Sequence, residues 1–322
     1  MKHLILFLGL FLWLGVPTGE ARELKLAHAV NTQSPYHLGS LEFKKLVEQE
    51  SKGDLQIRIF PNRQLGDERA LIEALQMGLV DLAVISTGPV GNFVPEFLAL
   101  DVPYVFTSYA QVDRVLEGKL GTKFLSTLNK AKLVGLAFWE NGFRHLTNNK
   151  HPVLVPQDLV GLKLRTMENR VHIEAFEYLG AIVQPLPYGE ALAALKQGVL
   201  DGQENPINII YAFKLYTLQK YLSLTGHVYS PALLLVSQKT WQSLSAQEKS
   251  ILKSKGLIAA KYEKRLIREQ EQNQLEELKK AGMKVFQVDR EKFKAYLTPL
   301  REKWAESFPW LKEIEAFLQE NK

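Results

Sequence analysis

The chain has 322 residues, of which 46% are hydrophobic and 23% charged, with no cysteine and a formal net charge of +5. This is globular composition, which excludes a disordered or fibrous chain, and the length predicts two domains of roughly 100–200 residues. Without cysteine there is no disulfide framework, thiolate zinc site, iron–sulfur cluster, cysteine nucleophile or cysteine-linked lipid anchor, and no Lys/Arg stripe marks a nucleic-acid partner, because the basic run Lys261–Arg268 contains Glu263 and reads as a solvated helix face.

Residues 1–21 have the layout of a secretory signal peptide. Lys2 gives a positive start, Leu4–Val16 is an apolar run, Pro17 and Gly19 break it, and Gly19 and Ala21 are the small residues of a cut after Ala21. An N-terminal membrane anchor is the competing reading, but the run is shorter than the ~20 residues a spanning helix needs. No later stretch is long and apolar enough to cross a membrane, so the mature chain is expected to be exported and not itself membrane-spanning.

The mature chain opens with a predicted strand, Glu23–Ala27, and a helix around Leu38–Glu50 whose Leu38, Leu41, Leu46 and Val47 share a face. Lys52-Gly53-Asp54 is turn chemistry. Leu55–Phe60 alternates apolar and polar residues as a strand and stops at Pro61. A helix over Glu68–Met77, a stop at Gly78 and an apolar strand, Val80–Ile85, follow. Strands alternating with helices predict an α/β fold with largely parallel sheets.

Residues 74–81, Ala-Leu-Gln-Met-Gly-Leu-Val-Asp, are echoed at 194–201 as Ala-Leu-Lys-Gln-Gly-Val-Leu-Asp. Each reads as a helix end, a glycine suited to a left-handed C-cap and an entry into a strand. The echo is either reuse of a common turn or the mark of two similar lobes; the length favours the lobes. Ser245-Ala-Gln-Glu248 is a capping box. It opens a stretch to Lys280 with no proline and a single glycine, Gly256, which predicts one helix of ~50 Å or two shorter ones broken at that glycine. Trp310–Leu318 is a last amphipathic segment.

Motifs for catalysis and cofactors are missing. There is no Gly-x-Gly-x-x-Gly after a strand, no phosphate-binding loop, no Gly-x-Ser-x-Gly and no His-Glu-x-x-His. His145 and His151 are six apart beside Pro152, which suits no helical metal site. No catalytic residue, metal or cofactor is therefore expected. What remains are polar residues at predicted strand ends, where open α/β sheets bind ligands. Asn141-Gly-Phe-Arg144 follows the strand Leu133–Trp139, Gly161-Leu-Lys-Leu-Arg165 ends in arginine, and Asp201-Gly-Gln-Glu-Asn-Pro206 follows the second echo. Two guanidiniums and an amide at three strand ends suit an anion, since arginine grips a carboxylate with paired hydrogen bonds; ordinary solvated arginines are the competing reading.

At these residues the chain resembles the extracytoplasmic solute-binding component of tripartite ATP-independent periplasmic (TRAP) transporters. The matching stretches are Phe60-Pro-Asn-Arg-Gln-Leu-Gly-Asp67, Asn141–Arg144, Gly161–Arg165 and above all Asp201–Pro206. The resemblance covers nearly all of the mature chain. It implies two lobes of the type II-like periplasmic binding protein fold, a ligand cleft between them, a long bracing helix and closure on binding. It implies a periplasmic location and two membrane partners, the small and large permease subunits. It makes Arg165 the salt-bridge partner of a substrate carboxylate, sets Asn205 beside it, lines the cleft with Arg144 and brings Tyr188 against the ligand. Ser86 stands where sialic-acid binders carry glutamate, and Met167-Glu168 replaces their Pro-Asn, so sialic acid is not expected. Further candidate contacts are His28, Glu68, Ser86 and the pair Trp139-Glu140. The expected lobes are 22–141 with 231–270, and 142–230 with 271–322. The expected ligand is a monocarboxylate sugar acid such as a uronate or aldonate. A C4-dicarboxylate is the runner-up, for which a second strong cation on the facing lobe would be needed, and a secreted enzyme acting on sugar acids is the alternative of a different class.

Overall fold

The computed structural model describes residues 21–320; apart from Ala21, the expected signal segment lies outside the described residues. The strands in chain order are β1 (Arg22–His28), β2 (Leu55–Phe60), β3 (Leu82–Ser86), β4 (Leu133–Asn148), β5 (Lys163–Thr166), β6 (Ile182–Pro185), β7 (Gly202–Pro206), β8 (Tyr221–Ser223), β9 (Tyr229–Ser237) and β10 (Lys284–Phe286). They form one sheet in the order β2-β1-β3-β9-β4-β7-β5-β6, with β8 on β4 and β10 on β8.

The sheet contains the same unit twice. β1 pairs in parallel with β2 and β3, joined by the helices Pro35–Glu50 and Glu68–Met77. β5 likewise pairs in parallel with β6 and β7, joined by Arg170–Tyr178 and Tyr188–Lys196. The sequence echo is the last turn of this unit. Gly78 and Gly198 have φ of 73° and 71°. The amide of each returns to the carbonyl three residues back, and the next amide to the carbonyl five back, at 2.9–3.1 Å. Asp81 and Asp201 then repeat one bond: each accepts at 2.9 Å from the amide of a lysine, Lys25 on β1 and Lys163 on β5. The fold is α/β with two lobes built on these units.

β4 joins them. It is 16 residues long and was expected to stop at Trp139. Leu133–Phe143 pairs antiparallel with β9, with register shifts at 135/137 and 140/142, whereas Arg144–Asn148 pairs with β7. The residues Asn141–Arg144, read from sequence as a strand end, thus lie inside a strand. So do Gln203–Asn205, which form the buried strand β7. Both corrections have one cause. Polar residues in a strand flanked on both sides break the apolar pattern that marks strands, and here they are buried because they serve the space between the lobes.

The sheet is mixed, parallel within each unit and antiparallel where β9 and β4 join them, which corrects the expectation of largely parallel sheets. Elsewhere it is covered on both faces. Alternate residues of β3 and β9 feed different clusters: Leu82, Val84 and Leu234 meet Phe43, Trp139 and Leu252 on one face, while Ala83, Ile85 and Leu235 meet Leu71, Phe97 and Phe124 on the other. Fully burying such a side chain contributes roughly 1.5–3 kcal/mol.

Ala246–Lys280 is one unbroken helix of 35 residues. Its capping box forms, with Ser245 Oγ accepting from Glu248 N and Glu248 Oε2 accepting from Ser245 N. Gly256 does not break it. A Cβ there would stand 3.3 Å from Leu136 and from Leu234, so the glycine lets the helix lie close on β4 and β9. The helix crosses the sheet, touching the helix Pro35–Glu50, β4 and the short helix Ile207–Ala212. No helix among the described residues is long and apolar enough to cross a membrane.

Gly198→Ala should lower stability by about 1 kcal/mol through backbone strain alone, because nothing lies near its would-be Cβ. Gly78→Ala should cost as much or slightly more, since the Lys239 chain must also move. Urea denaturation of the mature chain measures both, and unchanged stability at Gly198 would contradict a left-handed turn.

Candidate functional site

The two units present matching ends to a common space. It is lined by Tyr36, Asp67, Glu68 and Ser86 from the first unit, Asn141 from β4, and Arg165, Met167, Tyr188 and Asn205 from the second. The empty volume is about 560 Å³, part of it open to solvent. Glu68 and Tyr188 each begin the second helix of their unit, so equivalent positions of the repeat face one cavity with different chemistry.

Arg165 is 4% exposed. Its Nε and Nη2 donate to the Leu186 carbonyl at 2.8 and 2.6 Å, and its Cζ lies 5.4 Å from the Tyr188 ring centre. Among the described residues no carboxylate forms an ion pair with it, and its Nη1 has no protein partner. Burial lowers its pKa, and the pull of Glu204 only partly offsets that. A guanidinium nevertheless stays charged. This is a desolvated cation without an anion.

Arg144 is in the opposite situation. It is fully buried, and its Nε and Nη2 donate to the Glu204 carboxylate, Nη2 to Oε1 at 2.9 Å. Nη2 also reaches the Glu204 carbonyl at 2.7 Å and Asn205 Oδ1 at 3.1 Å. Burial pushes the Glu204 carboxyl upward, but Arg144 and a hydrogen bond from His227 outweigh it and hold it well below the usual carboxylate range. Arg144 does not line the cavity. It orients Asn205, whose amide nitrogen also donates to Gln203 Oε1.

On the first unit, Glu68 Oε1 accepts from Ser86 N at 2.7 Å and Ser86 Oγ at 2.6 Å. Burial raises the pKa of Glu68, only partly offset by those bonds and by the charges of Arg165 and Arg144. Four lining residues also carry a buried polar atom with no protein partner: Tyr36 Oη, Asp67 Oδ1, Asn141 Oδ1 and Tyr188 Oη. Each such group costs about 1–3 kcal/mol when left unpaired, so they mark where a hydroxyl-bearing molecule would be held. Contacts across the cavity mouth tie its walls together. Arg69 Nη1 lies 3.6 Å from Glu168, and Asn169 Nδ2 donates to Gly88 O at 2.9 Å and Asp101 Oδ2 at 3.0 Å.

Of the sequence candidates, Glu68, Ser86, Arg165, Tyr188 and Asn205 come together here, and His28, Trp139, Glu140 and Arg144 do not. His28 is buried against His37, Nε2 to Nδ1 at 3.1 Å. Trp139 is buried beside Gly39 under the long helix. Glu140 accepts from Tyr229 Oη at 2.9 Å and from Arg268, which also grips Asp113, so it fastens the long helix to β4. Tyr36, Asp67 and Asn141 were not singled out. Asp67 and Asn141 lie inside the matching stretches quoted above, which was the available signal; Tyr36 had none.

Two measurements separate these roles. Glu204→Gln leaves Arg144 buried and unpaired and should cost about 3–5 kcal/mol in denaturant, whereas Arg165→Met removes an uncompensated charge and should leave stability unchanged or higher. Burial and His37 hold His28 neutral down to about pH 3, whereas in the unfolded chain an imidazole charges near 6.5. Stability should therefore fall as pH drops from about 6.5 toward 3. His28→Asn should flatten that slope by up to about 1.4 kcal/mol per pH unit; an unaltered pH profile would contradict a buried neutral imidazole.

Comparisons with known proteins show the family. The bacterial extracellular solute-binding protein, family 7, matches residues 26–308. The 2,3-diketo-L-gulonate-binding periplasmic protein of Escherichia coli is 33% identical over 85% of this chain and 84% of its own. The C4-dicarboxylate-binding periplasmic protein of Rhodobacter capsulatus is 32% identical over 92% of this chain and 91% of its own. The sugar acid binding protein of Advenella mimigardefordensis, solved in complex with galactonate, superposes with a TM-score of 0.91 at 32% identity, covering 94% of this chain and 99% of that one. The chain belongs to the extracellular solute-binding proteins of family 7, the solute-binding components of TRAP transporters.

Proposed function

We propose that this solute-binding protein takes a monocarboxylate sugar acid, an aldonate or uronate, and passes it to the small and large subunits of a TRAP permease. The observation that carries the ligand class is Arg165, a buried guanidinium without an acid, in a cavity where four other buried polar atoms lack partners. The ligand carboxylate pairs with Arg165 beside Asn205, and its hydroxyls reach Tyr36, Asp67, Glu68 and Asn141. A charge-assisted bond contributes roughly 1.5–3 kcal/mol, and micromolar binding needs about 8 kcal/mol. The hydroxyl contacts and the exclusion of water supply the difference. Galactonate in the Advenella relative and the diketogulonate of the Escherichia relative's name support this class.

The Rhodobacter relative's name favours a C4-dicarboxylate as a second reading. Against it, the other cavity-lining cation, Arg69, is exposed and already engaged by Glu73 and Glu168. The protein releases its ligand unaltered, a reading supported by its membership of a solute-binding family. Export with removal of residues 1–21 belongs to the same reading, as does the lobe division 22–141 with 231–270 and 142–230 with 271–322. The change of partner along β4, from β9 to β7 at Arg144, supports that division. The last helix, Pro309–Glu320, also touches residues 95–101 and 109–116 and so ties the chain end to the first lobe.

A thermal-shift panel on the mature chain should show stabilisation by galactonate or gluconate and none by galactose. Arg165→Ala should weaken the binding of those acids about a hundred-fold while leaving the fold intact, read by calorimetric titration. Response to neutral sugars alone, or undiminished affinity in Arg165→Ala, would overturn the assignment, and turnover of a bound acid seen by mass spectrometry would favour an enzyme.

A further inference from the structure

The charges around the cavity are unevenly placed. The second lobe contributes Arg165, which has no acid partner. The facing wall contributes Asp67 and Glu68, side by side at the start of the helix Glu68–Met77. Ser86 occupies Glu68 Oε1 twice, through its amide and its hydroxyl, and among the described residues none donates to Oε2. Asp67 caps the helix without a side-chain bond, and its Oδ1 is buried and unpartnered. Arg165 and Glu68 line one cavity yet form no ion pair, so they address different parts of whatever lies between them. The other lining charges, Arg69 and Glu168, are paired with each other at the rim.

We infer that Glu68, with Asp67 beside it, sets the charge selectivity of the site. This rests on the sugar-acid reading above and adds a residue that decides among acids. A ligand whose carboxylate meets Arg165 presents its far end to the acidic wall. A terminal hydroxyl there donates to Glu68 Oε2 or Asp67 Oδ1. A second carboxylate there meets like charge, and Arg63, the cation beside Asp67, does not line the cavity. Two like charges several ångströms apart in a protein interior repel strongly enough to weaken binding about ten- to hundred-fold. The pair of buried bonds from Ser86 fixes the carboxyl in place, so it cannot swing away from a dianion without losing both.

D-galactonate and D-galactarate differ only at C6, a hydroxymethyl in one and a carboxylate in the other, and are the probes for calorimetry at pH 8. The wild-type protein should bind galactonate about ten- to hundred-fold more tightly than galactarate. Glu68→Gln keeps the shape and the acceptor for Ser86, and should narrow that gap about ten-fold, mainly by tightening galactarate. Asp67→Asn, at a cap with no side-chain bond to lose, should narrow it in the same direction and serves if Glu68→Gln melts early. A ratio unchanged in both variants, or equal wild-type affinity for the two acids, would overturn the role of the wall while leaving the sugar-acid reading standing. A wild-type protein that binds neither acid would overturn both.

Discussion

A buried guanidinium has to be compensated, and of the two buried arginines among the described residues only one is paired with a carboxylate. Moving a cation out of water costs several kcal/mol unless a partner charge and hydrogen bonds replace the water. Arg144 meets that cost with Glu204, and the pair is sealed in the strand crossing. Arg165 does not. One backbone carbonyl takes two of its N–H groups and the Tyr188 ring covers it, which contributes far less than a carboxylate. In the proposed function the remaining compensation comes from an anion that enters the cavity. That reading accounts for two arginines of similar burial playing different parts.

The architecture supplies the cavity by repetition. Two copies of a strand–helix–strand–helix–strand unit bring the carboxyl ends of their strands toward one another, the usual location for ligands in open α/β sheets. A copied scaffold alone would give a symmetric pocket. The asymmetry comes from single substitutions at equivalent places, such as Glu68 against Tyr188 at the two helix starts. One wall is acidic and polar, and the other is cationic and aromatic. β4 and the long helix then hold the units in register. Glu140 is bound on one side by Tyr229 and on the other by Arg268 of that helix, so the brace is locked to the strand at the point where β4 changes partners.

The elements outside the crossing were legible because their patterns are local. Leu55–Phe60 and Glu68–Met77 appear in the structure with the bounds read from sequence, since alternation and a capped amphipathic turn are written in neighbouring residues. The echo was legible for the same reason. The continuation of β4 and the run of β7 through its polar residues were not. Asn141, Arg144 and Gln203–Asn205 are polar and buried, and only the other lobe explains why a polar strand is buried. The division of labour between Arg144 and Arg165 was equally hidden. Glu204 was part of a quoted motif, but that its carboxylate turns toward Arg144 is a matter of register, with Arg144 opposite Pro206 and Leu146 opposite Glu204. His28, Trp139 and Glu140 follow apolar strands as ligand residues often do, yet in this sheet those positions lie under helices.

The lining has a consequence for the closed form. Arg69 with Glu168, and Asn169 with Gly88 and Asp101, join the walls through a few polar contacts. The exposed Arg69–Glu168 pair contributes about 0–1 kcal/mol, and the buried Asn169 bonds, one of them to a carboxylate, add roughly 0.5–3 kcal/mol each. Enclosing Tyr36, Asp67, Asn141 and Tyr188 with a polar atom unpaired costs about 1–3 kcal/mol for each. The wall contacts and the unpaired groups are thus of comparable size, so in the proposed reading the ligand decides whether the cleft stays shut. Under that reading a ligand that pairs with Arg165 and satisfies the others tips the balance toward closure, because its contacts exist only when the walls are together. Closure would then be a readout of ligand chemistry: a molecule that satisfies one wall alone would bind without shutting the cleft, and one with an acid at one end and hydroxyls at the other would span both.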